Sequence, residues 1–292
     1  ILLTTRKLAM DREELISQLE LYRDMLEQCP YSERITVTEK TSEEIISYGV
    51  ELGAVEVREH PLGDIVAVAP DQSVLLAYFR NNIAHLLAVP SLVASCFLNT
   101  RTVETTQLLR IAAALYPFLK AELFLPWDEE GFNQVVERQI DWLVDRGLLK
   151  ESGGKQALER SVGSTREDLQ IKIMGHALLQ TFERYFITVA ILAKNGSGSL
   201  TRSELERLCI LTAQRISQLN EFAAPEFSDR QMFRHFISLL RENGILTTNE
   251  DEKLEYNSVI RQISDDAKFI LSKEIRHGII RVAPQVLTES SD

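Results

Sequence analysis

The chain contains the stretch Tyr78-Phe79-Arg80-Asn81-Asn82-Ile83-Ala84-His85-Leu86, which opens a strongly apolar run that continues to Phe97. The length and apolar character of this run predict buried helices. Its front nevertheless carries four polar side chains, two of which are amides. A buried polar group without a partner costs roughly 1–3 kcal/mol. These side chains therefore either join a network inside the fold or meet a partner outside it.

Three of the polar residues are candidates for a contact between domains. Asn82 and His85 stand three residues apart and would share a helix face with Phe79. Two interpretations stay open. In the first, the network is internal, and Arg80, Asn82 and His85 are all buried and hydrogen-bonded. In the second, they form a polar patch that meets a partner domain, and at least one of them is exposed beside Phe79 or Tyr116.

A second block, from Leu115 to Trp127, is dense in aromatic and apolar residues, and Lys120 and Glu122 are embedded in it. One interpretation is a buried helix end followed by a connector. The other is an exposed docking patch, because apolar surface that stays exposed usually marks an interaction site. Lys120 and Glu122 are therefore further candidates for an interdomain contact.

Helix start signals recur along the chain, and strand signals are few. Capping patterns precede apolar stripes of helical spacing after Asp11, Thr41, Thr201 and Ser228. Short alternating segments predict one β-hairpin near residues 54–68. The fold class expected is therefore mainly α, a multi-helix domain with small β-hairpins.

Two further places repeat the order helix, glycine, strand, turn and return strand. One passes through Gly147 to a turn at residues 152–155, and the other passes through Gly244 to a turn at residues 249–251. Both predict winged-helix-like units. Pro117 is expected to kink or break the helix that contains it.

The glycine-rich segment 151–164 is interpreted as a linker. It would separate an N-terminal helical half, residues 1–150, from a winged-helix-like C-terminal half, residues 165–292. Within the second half, residues 165–194 are expected to form one long helix.

Charge and composition exclude several classes of protein. The net charge of −11 disfavours a nucleic-acid binder, whose affinity depends on Lys and Arg at phosphates, and it disfavours attraction to anionic lipid by charge alone. The apolar runs are shorter than the roughly 20 residues that span a bilayer, so a soluble chain is expected. The three cysteines, Cys29, Cys96 and Cys209, show neither a disulfide framework nor zinc spacing. We expect no metal and no cofactor.

Catalytic motifs are also missing from the sequence. It contains no His-Glu-x-x-His, no Gly-x-Ser-x-Gly and no Walker loop. No residue is therefore assigned a catalytic role. An enzyme that uses His60 or His85 stays an alternative, which a pocket that pairs one of them with an acidic side chain would support.

Three blocks in order resemble the C-terminal region of the membrane-bound bacterial glycerol-3-phosphate acyltransferases. The resemblance spans most of the chain, from about Asp11 to about Gly244. The blocks are Phe79–Leu86 with Pro90–Leu92, then Leu115–Trp127, and finally Thr212–Ser217 with Ala224–Phe227.

The resemblance implies a parent enzyme that transfers a fatty acyl group from acyl-CoA or acyl-carrier protein to the sn-1 hydroxyl of glycerol 3-phosphate. This is the first step of phospholipid synthesis, at the cytoplasmic face of the inner membrane. Catalysis in the family uses His-x-x-x-x-Asp, in which His is the general base, and no His in this sequence is followed by Asp at that spacing.

By resemblance, this chain is therefore a non-catalytic C-terminal domain, consistent with a first residue that is not Met. Its expected partners are the missing acyltransferase domain of the same protein and the membrane surface, with no nucleic acid. The alternative function is a winged-helix module that binds another macromolecule, and the acidic balance opposes the nucleic-acid version of it.

Overall fold

The computed structural model describes residues 1–5, 7–154, 156–163, 165–220 and 228–285. It is mainly α-helical with small antiparallel sheets, so the predicted fold class is confirmed. The chain forms two compact units. The first contains residues 1–97, 101–109 and 127–178, and the second contains residues 98–100, 110–126 and the chain from 179 onward.

The first unit combines helices with two three-stranded sheets. Its elements are β1 (Ala9–Asp11), α1 (Arg12–Gln28), α2 (Ser42–Glu51), β2 (Val55–Arg58), β3 (Ile65–Val68), α3 (Ser73–Ile83), α4 (Ala88–Ser95), β4 (Thr102–Glu104), the start of α5 (Thr105–Leu123), α6 (Glu129–Asp145), β5 (Leu149–Ser152), β6 (Ala157–Arg160) and α7 (Arg166–His176). Short 3-10 turns cover Leu2–Thr4 and Ala84–Leu87.

The first sheet has the order β1-β3-β2. The predicted hairpin near residues 54–68 is confirmed as β2 and β3, with Val57 opposite Val66. Strand β1 was not predicted, and it adds Met10 opposite Val66 on the other side of β3. Buried side chains of this sheet pack with α1, α2 and α7 around Leu15, Ile46 and Ile173.

The second sheet has the order β4-β6-β5. Its strand pairing explains why the chain does not divide into two halves at residues 151–164, as the sequence predicts. Gly153 and Gly154 of that segment lie in the turn of the β5–β6 hairpin, and β6 pairs on its other side with β4. Residues 151–163 thus belong to the first unit. Glycine-rich composition is shared by hairpin turns and by linkers, so it does not distinguish the two.

The second unit is built mainly from helices. Its elements are the rest of α5, then α8 (Leu179–Asn195), α9 (Arg202–Asn220), α10 (Arg230–Glu242), β7 (Leu246–Thr248), β8 (Leu254–Tyr256), α11 (Ser258–Ile270) and α12 (Lys273–Val282). Strands β7 and β8 form a two-stranded sheet. Helix α8 is buried along most of its length, and its neighbours include α9 and α11.

Glycine ends the helix before each of the two predicted wing-like hairpins. Gly147 follows α6 with a φ of 73°, and Gly244 follows α10 with a φ of 67°. The next amide then bonds back over the helix end, from Leu148 to Leu143 and from Ile245 to Leu240, as in a Schellman cap. The helix, glycine and hairpin pattern is therefore confirmed at both places.

The structure bears on two expectations about helix continuity. Pro117 lies inside α5 without ending it, so the helix is not broken there. The expectation of one long helix over residues 165–194 is wrong, because α7 stops at His176 and α8 begins at Leu179. The fully buried Ser91 of α4 supplies hydrogen-bond partners to the backbone at this break. Its Oγ donates to the carbonyl oxygen of Gly175 at 3.3 Å and accepts from the amide of Leu178 at 3.0 Å.

Candidate contact surface

Helix α3, which carries most of the opening sequence stretch, has an apolar side that faces solvent. We call this side the α3 outer face. Its five large apolar side chains are between 49% and 61% exposed. They are Val74, Leu75, Tyr78, Phe79 and Ile83. On the opposite side, Ala77 is buried and Leu76 packs against the core of the first unit.

The outer face departs from the usual design of a surface helix. Such a helix carries charged or polar residues on its solvent side. On α3 the outward positions hold few polar side chains, chiefly Asn81 and Asn82. Tyr78 and Phe79 contact each other edge to face, with their ring centroids 5.7 Å apart. The face is therefore a contiguous apolar surface that includes two aromatic rings.

The three polar candidates of this segment have different environments. Arg80 is half-buried, and its Nε and Nη2 donate to Asn81 Oδ1 at 3.3 and 3.1 Å. Asn82 is exposed, one turn after Tyr78 and Phe79 on the same side of the helix. The internal interpretation, in which all three side chains are buried, is therefore wrong for Asn82.

His85 lies in the 3-10 turn after α3 and is half-buried, in contact with the ring of Tyr31. Its ring meets Tyr31 edge-on at 4.8 Å, and Tyr31 meets Trp127 edge-on at 5.3 Å. His60, the other histidine considered for catalysis, accepts a hydrogen bond from the Leu62 amide at its Nδ1 and so stabilises the β2–β3 turn. The imidazole rings of His60 and His85 thus both make contacts within the fold.

Glu122 is part of an ion pair inside the second unit. Its carboxylate accepts from Arg184 Nη2 at 2.5 Å and from the Tyr185 hydroxyl at 2.5 Å. Burial raises the pKa of Tyr185 well above its ordinary value, and the adjacent Glu122 charge raises it further. Tyr185 also stacks on Phe236 with a centroid distance of 4.3 Å. These contacts give Glu122 a role in the core of this unit.

Lys120 lies on α5 near Glu122, and its Nζ is 5.6 Å from the centroid of the Tyr116 ring. Tyr116 itself is buried, as are Phe118 and Leu119. The apolar side of the 115–127 block is therefore buried at the helix end, whereas Phe124, just after the helix, is exposed.

The sequence interpretation missed the α3 outer face and the ring of Tyr31. The apolar run identified in the sequence starts at Tyr78 and leaves Val74 and Leu75 without a role, because consecutive apolar residues on a helix are usually buried. No local signal connects Tyr31 to His85, since 54 positions of chain separate them on the printed sequence and only the fold brings them together. Within the described residues, no three His, Cys, Asp or Glu side chains are placed to bind a metal.

Comparison with known proteins places this chain in a family. A model described as the glycerol-3-phosphate acyltransferase C-terminal region matches residues 1–249. The chain belongs to this family. The resemblance drawn from the three sequence blocks is therefore confirmed, although the block Ala224–Phe227 lies outside the described residues.

Curated relatives carry the name glycerol-3-phosphate acyltransferase. One from Xanthomonas campestris pv. campestris is 46% identical over 288 residues, which is 97% of this chain and 32% of the relative. One from Xylella fastidiosa is 43% identical, with 97% and 33% covered. One from Pseudomonas paraeruginosa is 35% identical, with 97% and 34% covered. The chain thus spans about a third of the length of these relatives.

None of the helices among the described residues is both long enough and apolar enough to cross a membrane.

Proposed function

We propose that this chain is the non-catalytic C-terminal domain of a glycerol-3-phosphate 1-O-acyltransferase. It packs on the acyltransferase domain of the same protein and supports or regulates it. The observation that carries the proposal is the family match, together with coverage of only a third of relatives named for that activity. The remaining length of such a protein holds the catalytic machinery.

The histidines of this chain support a non-catalytic role. The family's motif needs Asp five residues after His, so that the carboxylate can orient the imidazole that takes the proton from the substrate hydroxyl. The positions five residues after the histidines hold Ile65, Pro90, Thr181, Leu240 and Val282. The general base is therefore supplied by the upstream domain.

In this proposal the parent enzyme transfers an acyl group from acyl-CoA or acyl-carrier protein to glycerol 3-phosphate, which starts phospholipid synthesis. The parent works at the cytoplasmic face of the inner membrane. This chain is a peripheral part of that assembly. Because its net charge of −11 offers little attraction to anionic lipid, it is held there through the acyltransferase domain.

The test compares three purified proteins: the full-length parent, the parent without this region, and this chain alone. Each is incubated with labelled glycerol 3-phosphate and acyl-CoA, and lysophosphatidate is counted against a heat-killed control. We expect product from the full-length enzyme, none from this chain, and a loss of activity or of thermal stability in the truncated parent. Product from the chain alone would overturn the non-catalytic assignment. A truncated parent with unchanged kcat, KM and Tm would overturn the supporting role.

The winged-helix alternative rests on the two hairpins that follow α6 and α10 through a glycine. DNA binding of ordinary strength needs about six to ten phosphate contacts from Lys and Arg. We expect no binding of labelled duplex DNA by fluorescence anisotropy at physiological salt. Micromolar binding that weakens with added salt would favour this alternative instead.

A further inference from the structure

The α3 outer face is large, apolar and exposed in the first unit. We propose that this face is the surface on which the upstream acyltransferase part of the parent chain docks. The proposal rests on the proposed function, because it specifies where the contact between the two parts is made. It assigns the contact to Val74, Leu75, Tyr78, Phe79 and Ile83, with Asn82 among them.

The composition of the face is that of a binding surface. Tyr is enriched among the residues that contribute most to binding, and aromatic rings bury a large area with few rotatable bonds. Tyr78 and Phe79 are both more than half exposed, and Val74 and Leu75 extend the same side of the helix toward its start. Leaving such a cluster in water is unfavourable, so a partner that covers it gains the free energy of burial.

The path of the chain identifies the partner. The 3-10 turn Leu2–Thr4 contacts α3. Ile1, the residue before this turn, lies near Arg80 of α3. In a longer protein of this family, the residues that precede Ile1 therefore arrive beside α3. An upstream domain joined at that point has this face within immediate reach.

Charge argues against an anionic membrane as the partner of this face. The five apolar residues are accompanied by two asparagines and by one cation, Arg80, which donates to Asn81. A helix that binds anionic lipid usually carries several Lys or Arg around its apolar side. Asn82, which is uncharged and exposed, instead offers an amide for a specific hydrogen bond with a protein partner.

Tyr48 provides a matched control for Tyr78. Tyr48 is 60% exposed and Tyr78 is 61% exposed, and each lies on a helix of the first unit. Tyr48 belongs to α2, which contacts the edge strand β2, whereas the 3-10 turn that contacts α3 borders the opposite edge strand, β1. The two tyrosines thus share chemistry and exposure but occupy different surfaces.

The experiment measures the protection of each position by cysteine labelling. Tyr78→Cys and Tyr48→Cys are made in a Cys29→Ser background, because Cys29 is partly exposed while Cys96 and Cys209 are buried. Each variant is prepared as this chain alone and as the full-length parent, and maleimide labelling rates are compared. We expect both cysteines to react alike in the isolated chain. In the full-length enzyme, Tyr78→Cys should react at least about tenfold more slowly, corresponding to a docked surface stabilised by about 1.4 kcal/mol.

Each other outcome contradicts the proposal. Equal labelling of both positions in the full-length enzyme would show that α3 is not the docking surface, and the truncation test of the proposed function would remain unaffected. Protection of Tyr78→Cys in the isolated chain by phosphatidylglycerol-containing vesicles would assign the face to the membrane. Protection that rises with the concentration of the isolated chain would assign it to a second copy.

A second pair of variants checks the functional consequence. Tyr78→Lys in the full-length enzyme should lower its thermal stability or its acyltransferase activity, whereas Tyr48→Lys should leave both near wild type. In the isolated chain, both variants should melt together with the wild type, because both side chains are exposed. Equal effects of the two variants in the full-length enzyme would contradict docking at α3.

Discussion

The side-chain oxygen of Ser91 lies 3.0 Å from the amide nitrogen of Leu178, in the gap that separates α7 from α8. The same oxygen donates to the carbonyl of Gly175. One hydroxyl of α4 therefore satisfies a donor and an acceptor that the end of a helix would otherwise leave without partners. A residue 87 positions away in sequence holds the chain in the turn that follows α7.

Replacing Ser91 by Ala should lower the free energy of unfolding by about 1–3 kcal/mol, because the Leu178 amide would stay buried without an acceptor. Urea denaturation of the isolated chain measures this loss. Ser95→Ala is the matched control, since Ser95 is equally buried in the same helix but donates only to Leu92 within it. Equal losses in the two variants would refute the special role of Ser91.

Glu122→Ala should destabilise the second unit by about 3–5 kcal/mol, because it leaves the buried Arg184 guanidinium without its counter-ion. Tyr185→Phe removes one hydrogen bond to the same carboxylate and should cost about 1 kcal/mol. Both values are measured by urea denaturation of the isolated chain. An unchanged midpoint for Glu122→Ala would return Glu122 to the residues available for a contact with another domain.

Glu183 should make the stability of the chain depend on pH. Burial raises the pKa of its carboxyl group to about 8, although the neighbouring Arg184 acts in the opposite direction. The folded state therefore retains a proton that the unfolded state loses above its pKa near 4.5. This contribution to stability is complete below that lower pKa, and it declines as the pH rises toward 8.

The variant Glu183→Gln tests this dependence, because its side chain cannot ionise. Relative to wild type, it should gain on the order of 3 kcal/mol of unfolding free energy between pH 5 and pH 8. Urea titrations at both pH values measure the difference, and Glu242→Gln, at an exposed carboxyl in the same unit, is the control. A constant difference between wild type and Glu183→Gln would mean that Glu183 ionises normally in the fold.

Asn82→Ala should change the free energy of unfolding of the isolated chain by less than about 0.5 kcal/mol, since its side chain is exposed. Thermal melting beside Ser91→Ala in the same assay provides the comparison. A loss above about 1 kcal/mol would show that Asn82 has a partner within the fold after all.

Local patterns predicted the parts of this fold that local chemistry determines. The pairing of Thr41 with Glu44 in a capping box is present, and the glycines at 147 and 244 end their helices with positive φ as expected. The apolar run after His85 is buried, since every residue of α4 is buried. In each case the deciding interaction joins residues that are near in sequence.

Contacts between residues far apart in the chain could not be predicted from the sequence. Strands β1 and β4 have three residues each, too few to show an alternating pattern, and each exists because it pairs with a strand more than 50 residues later. The break after α7 depends on Ser91. The placement of Glu122 in a core ion pair depends on Arg184, 62 positions away. The outer face of α3 was missed for the opposite reason, because its composition matches that of a buried helix.

The interleaving of the two units has a consequence for synthesis on the ribosome. The chain leaves the first unit after Phe97, visits the second at residues 98–100, crosses again after Leu109, and returns at Trp127. Strand β6, which lies between β4 and β5, emerges only after α5 and α6 have been made. Early segments such as α4 therefore keep part of their apolar surface exposed until α7 has been translated. A nascent chain arrested before Arg166, the first residue of α7, should bind chaperones and resist compaction.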